Sequence, residues 1–411
     1  MPDTVVIGGG AAGIAAARRL HDAGVDVLLV EASDRLGGRA HSRSLALPGG
    51  GSALVDLGCG WLHSARRNPW TVIAEAGGVP IDRGSPNWGV QWRDLGFPPA
   101  EQRAFAAARQ RWETAARAAL GGPDRPLADF IDAADPSRPM IDAISGFANG
   151  AALTDVSLHD WAAYEDAAGE ENWALPGGYG TLIRDHARAV PIRLATPVTR
   201  IDHHERIMRL DTPAGTIEAM HVIVCVPTGI IADAGIAFDP PLPAKRDAAA
   251  ALPLGLADKV FLHVDAPIWP ADAHLLGNPH HVCTASHRLS PFGQPIVESF
   301  FGGPCAEALE AGDAAAFAID ELVALLGGGW RRRLTPLAVT RWRREPWIGG
   351  SYSHARIGGA GQRAILAAPI DDRLFFAGEA CSPSDFSTAH GACATGIAAA
   401  DRVLALSRRA R

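Results

Sequence analysis

Two apolar runs flanking an alanine-rich stretch open the chain. Residues 4–7 form a short β-favouring run that ends in Gly8-Gly9-Gly10. Residues 11–21 favour a helix, with Gly24 as its stop. Residues 25–30 are apolar again and are closed by Glu31. Continuous apolar strands around such a helix predict one β-α-β unit of a doubly wound parallel sheet. Similar runs return at residues 192–201, 207–211 and 221–226. A last one, at 373–376, precedes an alanine-rich segment over 392–406. Residues 85–180 carry a helical pattern, whereas 250–345 mix short strands (259–264, 295–300) with a helix over 314–326. The expected class is α/β. A Rossmann-like nucleotide-binding domain is built from residues 1–84, 185–250 and 346–411, and an α+β substrate domain is inserted as residues 85–184 and 251–345. There is no internal repeat and no low-complexity tail.

The glycines at the first strand end have a specific spacing. Gly8-x-Gly10-x-x-Gly13 follows a strand and opens a helix. Gly8 permits the tight turn, Gly10 lets backbone approach a pyrophosphate, and Gly13 lets helix and strand pack closely. Ala12 and its neighbours supply free N–H groups at the positive end of the helix dipole. Glu31, with Ala32 beside it, closes the second strand, where a carboxylate can accept from ribose hydroxyls. Nucleotide binding is the first functional expectation.

Composition narrows the classes. The chain has 411 residues, 47% hydrophobic and 20% charged, which is globular and large enough for two or three domains. A net charge of −7 argues against a nucleic-acid binder that works by phosphate neutralisation. Among 38 basic residues only Lys245 and Lys259 are lysine. Lysine, unlike arginine, can lose its proton when buried, so both merit attention. The six cysteines are scattered without a C-x-x-C pair, which predicts no disulfide framework or structural zinc and fits a reducing compartment. No leader-like segment opens the chain and no apolar run is long enough to span a bilayer, so a soluble cytoplasmic protein with no membrane partner is expected.

Arg35-Leu36-Gly37-Gly38-Arg39 follows the acid directly, and Arg39 suits a charge-assisted hydrogen bond to the pyrophosphate. With the fingerprint before it, this pattern resembles the flavin-dependent amine oxidases, the family of monoamine oxidases, polyamine oxidases and the lysine-specific histone demethylase. The resemblance covers most of the chain. It runs through Asp56–His63 with Asn68-Pro69, Leu175–Gly180, Pro197–Ile201, Val222–Pro227, Gly255–Val260 with Trp269-Pro270, Arg341–Ser353, and Phe376–Ala380 with Phe386–Ala392. It is closest to polyamine oxidases. Residues 85–170 match no motif.

The resemblance implies FAD as cofactor and assigns roles. Gly60, Trp61, Trp347, Gly378, Glu379, Thr388 and Ala389 would join Gly8, Gly10, Ala12, Gly13, Glu31, Ala32, Arg39 and Val198 around FAD, with the Val198 backbone at the adenine. Lys259 matches the lysine that holds a water at the flavin. Tyr352 matches one wall of an aromatic cage, whose opposite wall falls at Thr388, leaving the cage half open. Trp342 would flank the flavin or substrate, and His63 matches a histidine of animal and yeast polyamine oxidases. Ser351 stands where monoamine oxidases carry the flavin-bound cysteine, so FAD should be noncovalent. Lys245 matches nothing and is expected at the surface.

The implied reaction is oxidation of a C–N bond of a polyamine-like small-molecule amine to an imine, with molecular oxygen reduced to hydrogen peroxide. The nearest alternative is an L-amino-acid oxidase. A carbon–carbon desaturase and a redox-silent flavoprotein scaffold come after it. A histone-demethylase role is not expected, because the length leaves no room for a long helical insertion or a chromatin-reading module. No metal site is expected at His203-His204 or His280-His281, and Asp166, Glu170 and Glu171 read as a solvated acidic loop. The oligomeric state is not legible.

Overall fold

The computed structural model describes residues 1–409. Thr4–Ile7 lies at the centre of a five-stranded, all-parallel sheet. The order is Leu374–Phe376, His221–Val224, Thr4–Ile7, Val27–Val30, Ile192–Arg193. Its strands come from three widely separated stretches of chain. Val5, Val6, Val222 and Ile223 are fully buried, as a parallel sheet covered on both faces requires. Helices Ala11–Asp22 and Ala389–Arg409 pack together on one face. A Cβ on Gly396 would stand 2.2 Å from the Ala12 carbonyl oxygen, so small residues set that close approach.

The apolar run at 192–201 divides into two strands. Pro197 lies in the gap, and proline cannot donate to a ladder. Ile192–Arg193 edges the parallel sheet, while Arg200–Asp202 joins a separate four-stranded sheet with Met208–Thr212, Gly215–Ala219 and Ala237–Asp239.

A second five-stranded sheet is antiparallel, in the order Ala273–Leu276, Ser286–Leu289, Ile296–Gly302, Ala257–Val264, Leu334–Val339. Phe261, Phe301, Ala318 and Leu322 build a common core with helix Ala314–Leu326. The helical stretch between the two sheets contributes Pro99–Ala118, Arg138–Asn149 and Leu158–Ala167. No helix among the described residues is long and apolar enough to cross a membrane.

Two sequence expectations are corrected. Lys245 is buried rather than exposed: its Nζ donates to the carbonyls of Ile365 (2.6 Å), Leu366 (2.9 Å) and Ala368, and it lies over the Phe376 ring. These carbonyls end helix Gln362–Ala367 and need a donor, which the sequence around Lys245 does not reveal. Cys283 and Cys305, expected as free thiols, form a disulfide. It ties the loop after Ala273–Leu276 to the start of helix Pro304–Ala311, a proximity created by the antiparallel sheet and invisible in the spacing.

Candidate active site

A single cavity of about 1780 Å³ is walled by both five-stranded sheets and by the helical stretch. That exceeds the roughly 300–1000 Å³ of ordinary small-ligand sites and leaves room for a dinucleotide beside a substrate. Every residue expected from sequence to bind cofactor or substrate lines it, except Gly13.

Gly13 acts from beneath. A Cβ there would come within 1.8 Å of the Gly8 carbonyl oxygen, so only glycine lets the helix start this close to the strand. Gly10 is the opposite case: nothing of the protein lies within 4 Å of its Cβ position, and the open side belongs to the cavity. Helix Ala11–Asp22 starts with no side-chain cap and no acid in its first turn. Its free N–H groups and positive dipole end are thus left for an anion. The carboxylate of Glu31 accepts from the Gly9 (2.6 Å) and Ser33 (2.8 Å) amides, which fixes it at the cavity edge. Ala32 and Val198 line the same end. This cradle fits the pyrophosphate, ribose and adenine of FAD.

Arg39 and Glu379 bridge the middle. Arg39 Nη1 donates to Glu379 Oε1 (3.0 Å) and to the Ser351 carbonyl. Burial alone would raise the Glu379 pKa, but Arg39, the Ser353 hydroxyl and Arg363 hold it below the usual carboxylate range. Ser353 Oγ donates to Glu379 Oε2 at 2.6 Å. Gly378, Gly60, Trp61, Trp347 and Ala389 line this region. The Thr388 side chain is mainly structural: Oγ1 donates to the Asp385 carbonyl (2.6 Å) and accepts from the Gly391 amide (3.0 Å) at the start of helix Ala389–Arg409.

Lys259, Tyr352, His63 and Trp342 line the same cavity. Lys259 Nζ donates to the Asp56 carbonyl (2.9 Å) and forms an ion pair with Glu298, lying 2.7 Å from its Oε1. The Tyr352 hydroxyl donates to the Phe147 carbonyl, and burial pushes its pKa far up, so it stays a neutral phenol. Burial pushes the His63 pKa down to about 4 against the opposing effect of its hydrogen bond to Asn172. His63 Nδ1 lies 2.6 Å from Asn172 Oδ1, an oxygen that only accepts, so Nδ1 carries the proton and Nε2 is the free acceptor. Asn172 Nδ2 donates to the Glu170 carbonyl (3.1 Å), which supports that amide orientation. Trp88 meets Trp61 edge to face at 5.1 Å and remains partly exposed where it borders the cavity.

Three of these residues escaped the sequence reading. Glu298 interrupts the apolar run 295–301 as its only charge, a signal that could have been used. Arg288, which lines the cavity beneath Trp61 (4.6 Å to the ring), and Trp88 lie where no motif was matched. Of the three acids expected on a loop, Asp166 instead lies in helix Leu158–Ala167 and pairs with Arg117, Glu171 pairs with Arg66, and Glu170 lines the cavity. Asp202, His204 and Asp239 offer ligand atoms within 4.8 Å of one another, but Arg200 bonds both carboxylates.

The family model described as flavin containing amine oxidoreductase matches residues 11–161 and 137–404. Polyamine oxidase 2 of Arabidopsis thaliana is 30% identical over 97% of this chain and 87% of its own length. Lysine-specific histone demethylase 1 homolog 2 of Oryza sativa subsp. japonica is 30% identical over 97% of this chain and 56% of its own. The chain thus spans about half the length of that demethylase homologue. Among solved structures, cyclohexylamine oxidase from Brevibacterium oxydans IH-35A has a TM-score of 0.80 at 23% identity, covering 99% of this chain and 100% of that one. Wild-type putrescine oxidase bound to putrescine has a TM-score of 0.77 at 20% identity, covering 98% and 99%. These two likenesses establish the shared fold.

Proposed function

The chain belongs to the flavin-containing amine oxidoreductase family, and from that premise we propose that it is an FAD-dependent oxidase of a small, polyamine-like amine. The product would be an imine that hydrolyses, and electrons would pass to molecular oxygen to give hydrogen peroxide. The observation that carries this reading is one cavity joining the Gly8–Gly13 cradle to Lys259, Tyr352 and His63. We assign residues 1–84, 185–250 and 346–411 to FAD and residues 85–184 and 251–345 to substrate. Putrescine, cyclohexylamine and polyamines, named for the relatives, are the first candidates. The relatives favour this reading over oxidation of an L-amino acid.

Bound FAD supplies the acceptor for a hydride equivalent from the carbon beside the amine nitrogen. The chain's own residues orient and discharge the amine. Gly8, Gly10, Ala12, Glu31, Ala32, Arg39, Val198 and Glu379 would hold the cofactor. The apolar lining around Tyr352, Trp342 and Phe147 disfavours an ammonium and so favours the neutral, reactive amine. Neutral His63 offers Nε2 to accept an N–H of that amine. Lys259 would hold a water and Tyr352 would wall the amine's approach.

The cavity's cysteines support noncovalent FAD. Burial pushes the Cys59 and Cys381 thiols up to about 12 and raises that of Cys225, so none is a thiolate nucleophile at neutral pH. Ser351 is tied to Ala257 through both its amide (2.7 Å) and its carbonyl (2.8 Å). The test is an anaerobic flavin-bleaching screen over polyamines, monoamines and L-amino acids. Bleaching by a diamine or polyamine supports the reading; bleaching by L-amino acids alone, or by nothing, overturns it. Lys259→Met should slow turnover with FAD retained.

A further inference from the structure

The sheet face that walls the substrate end carries two opposite charges side by side. Lys259 stands opposite Phe300 and Glu298 opposite Phe261 in the register of strands Ala257–Val264 and Ile296–Gly302. The two are therefore diagonal neighbours on one face. Both side chains line the cavity and are mostly withdrawn from solvent, at 8% and 14% exposure. Nζ and Oε1 are 2.7 Å apart.

An ammonium has three N–H donors. The Asp56 carbonyl takes one, and the Glu298 carboxylate lies against the amine as its ion-pair partner. No protein acceptor other than the Asp56 carbonyl is hydrogen-bonded to Nζ among the described residues, and the cavity is the open side. The other charged groups around the pair are engaged elsewhere. The Asp56 carboxylate is held by Ser42, Tyr179 and Gly180. Arg288 stands opposite Glu298 on the next strand, yet its guanidinium bonds Asp272 at 2.8 Å through Nε and lies over Trp61. His274, opposite Arg288, bonds Ser286 at 2.8 Å, and the Cys59 thiol is protonated. Glu298 is thus the counter-charge of Lys259. A buried amine without one sheds its proton or swings away on its flexible stem.

We propose that Glu298 is a positioning residue acting through Lys259: its carboxylate pins that amine at the cavity wall, beside the Asp56 carbonyl, and leaves it N–H donor capacity directed into the cavity. Because the pair is neutral as a unit, the donor is supplied without a net positive charge that would repel a cationic amine. This rests on the amine-oxidase reading above.

The chain's two lysines make the test clean. Nitrogen-15 lysine labelling of the FAD-loaded protein should give two slowly exchanging side-chain ammonium signals, since both amines are buried and hydrogen-bonded. Glu298→Gln should erase or shift the Lys259 signal and leave that of Lys245, which reports the intact fold. The same variant should retain FAD and lose about tenfold or more in kcat, with KM within about threefold. Glu298→Asp, which keeps the charge, should recover part of both losses. An unchanged Lys259 signal in Glu298→Gln overturns the proposal. So does a lost signal with kcat within about twofold of wild type. Should Glu298→Gln lose the Lys245 signal as well, Glu298→Ala, which also removes the charge, is judged by the same two criteria. If no amine reduces the wild-type flavin, the amine-oxidase reading fails by itself, while the two ammonium signals still decide whether Glu298 holds Lys259.

Discussion

Asp160→Asn should be among the most damaging substitutions outside the cavity. Asp160 and Arg363 are each 2% exposed and form a two-pronged pair, with Nε to Oδ1 at 2.7 Å and Nη2 to Oδ2 at 2.8 Å. Oδ2 also accepts from the Ala355 amide at 2.9 Å. Asparagine keeps the shape, removes the charge and turns one acceptor into a donor, leaving Arg363 buried without its paired carboxylate. Two charge-assisted bonds at about 1.5–3 kcal/mol each give about 3–6 kcal/mol. Breaking one partner of a buried pair costs about 3–5 kcal/mol, in agreement. The effect should reach the cofactor, because Arg363 Nη1 donates to Ser353 Oγ (3.0 Å), the same hydroxyl that donates to Glu379. Urea unfolding of the FAD-loaded protein, followed by tryptophan and flavin fluorescence together, measures both. The variant should lose about 3–5 kcal/mol and release FAD at lower urea. Asp160→Asn combined with Arg363→Met should recover a large part of that loss, since the orphaned charge is gone. A loss below about 1 kcal/mol, or strictly additive single variants, would refute the reasoning.

Three further outcomes are expected. Burial pushes His41, His63, His274 and His354 each down to about 4. Between that value and the ordinary 6.5 the unfolded chain binds more protons, so stability rises with pH and is lost as pH falls through this window; melting temperatures measured from pH 7 to 4 check it. Reducing the Cys283–Cys305 bridge, whose sequence separation is 22, should cost about 3 kcal/mol by the loop-entropy account, seen as a lower urea midpoint with reductant present. Acid precipitation should leave the yellow flavin in the supernatant; colour in the pellet would mean a covalent bond.

Much of the cradle was legible because its residues are local. Gly8, Gly10 and Gly13 sit on one turn, and their roles follow from strand, turn and helix in sequence order. Lys259 was legible for another reason: in a chain that uses arginine almost everywhere, a lysine within a matched segment stands out. The rest depended on register. Glu298 meets Lys259 only because two strands pair antiparallel with one particular alignment, and a slip of one residue would turn it to the opposite face. Lys245 looked like a surface residue because its acceptors belong to a distant helix end. Thr388 lines the cavity as its position implies, and its hydroxyl also caps the helix that begins next to it.

The interleaved parallel sheet also sets a timetable for synthesis. Thr4–Ile7 gains its neighbour His221–Val224 only after half the chain has been made. Helix Ala389–Arg409, whose Gly396 seats on Ala12, comes later still. At about 5–20 residues per second, the opening helix waits roughly 20–80 s on the ribosome before its partner exists. Throughout that interval its buried face, from Ile14 to Leu20, lacks its final cover. Cofactor capture is therefore a late event, and the nucleotide fingerprint is a segment that a chaperone has long to hold.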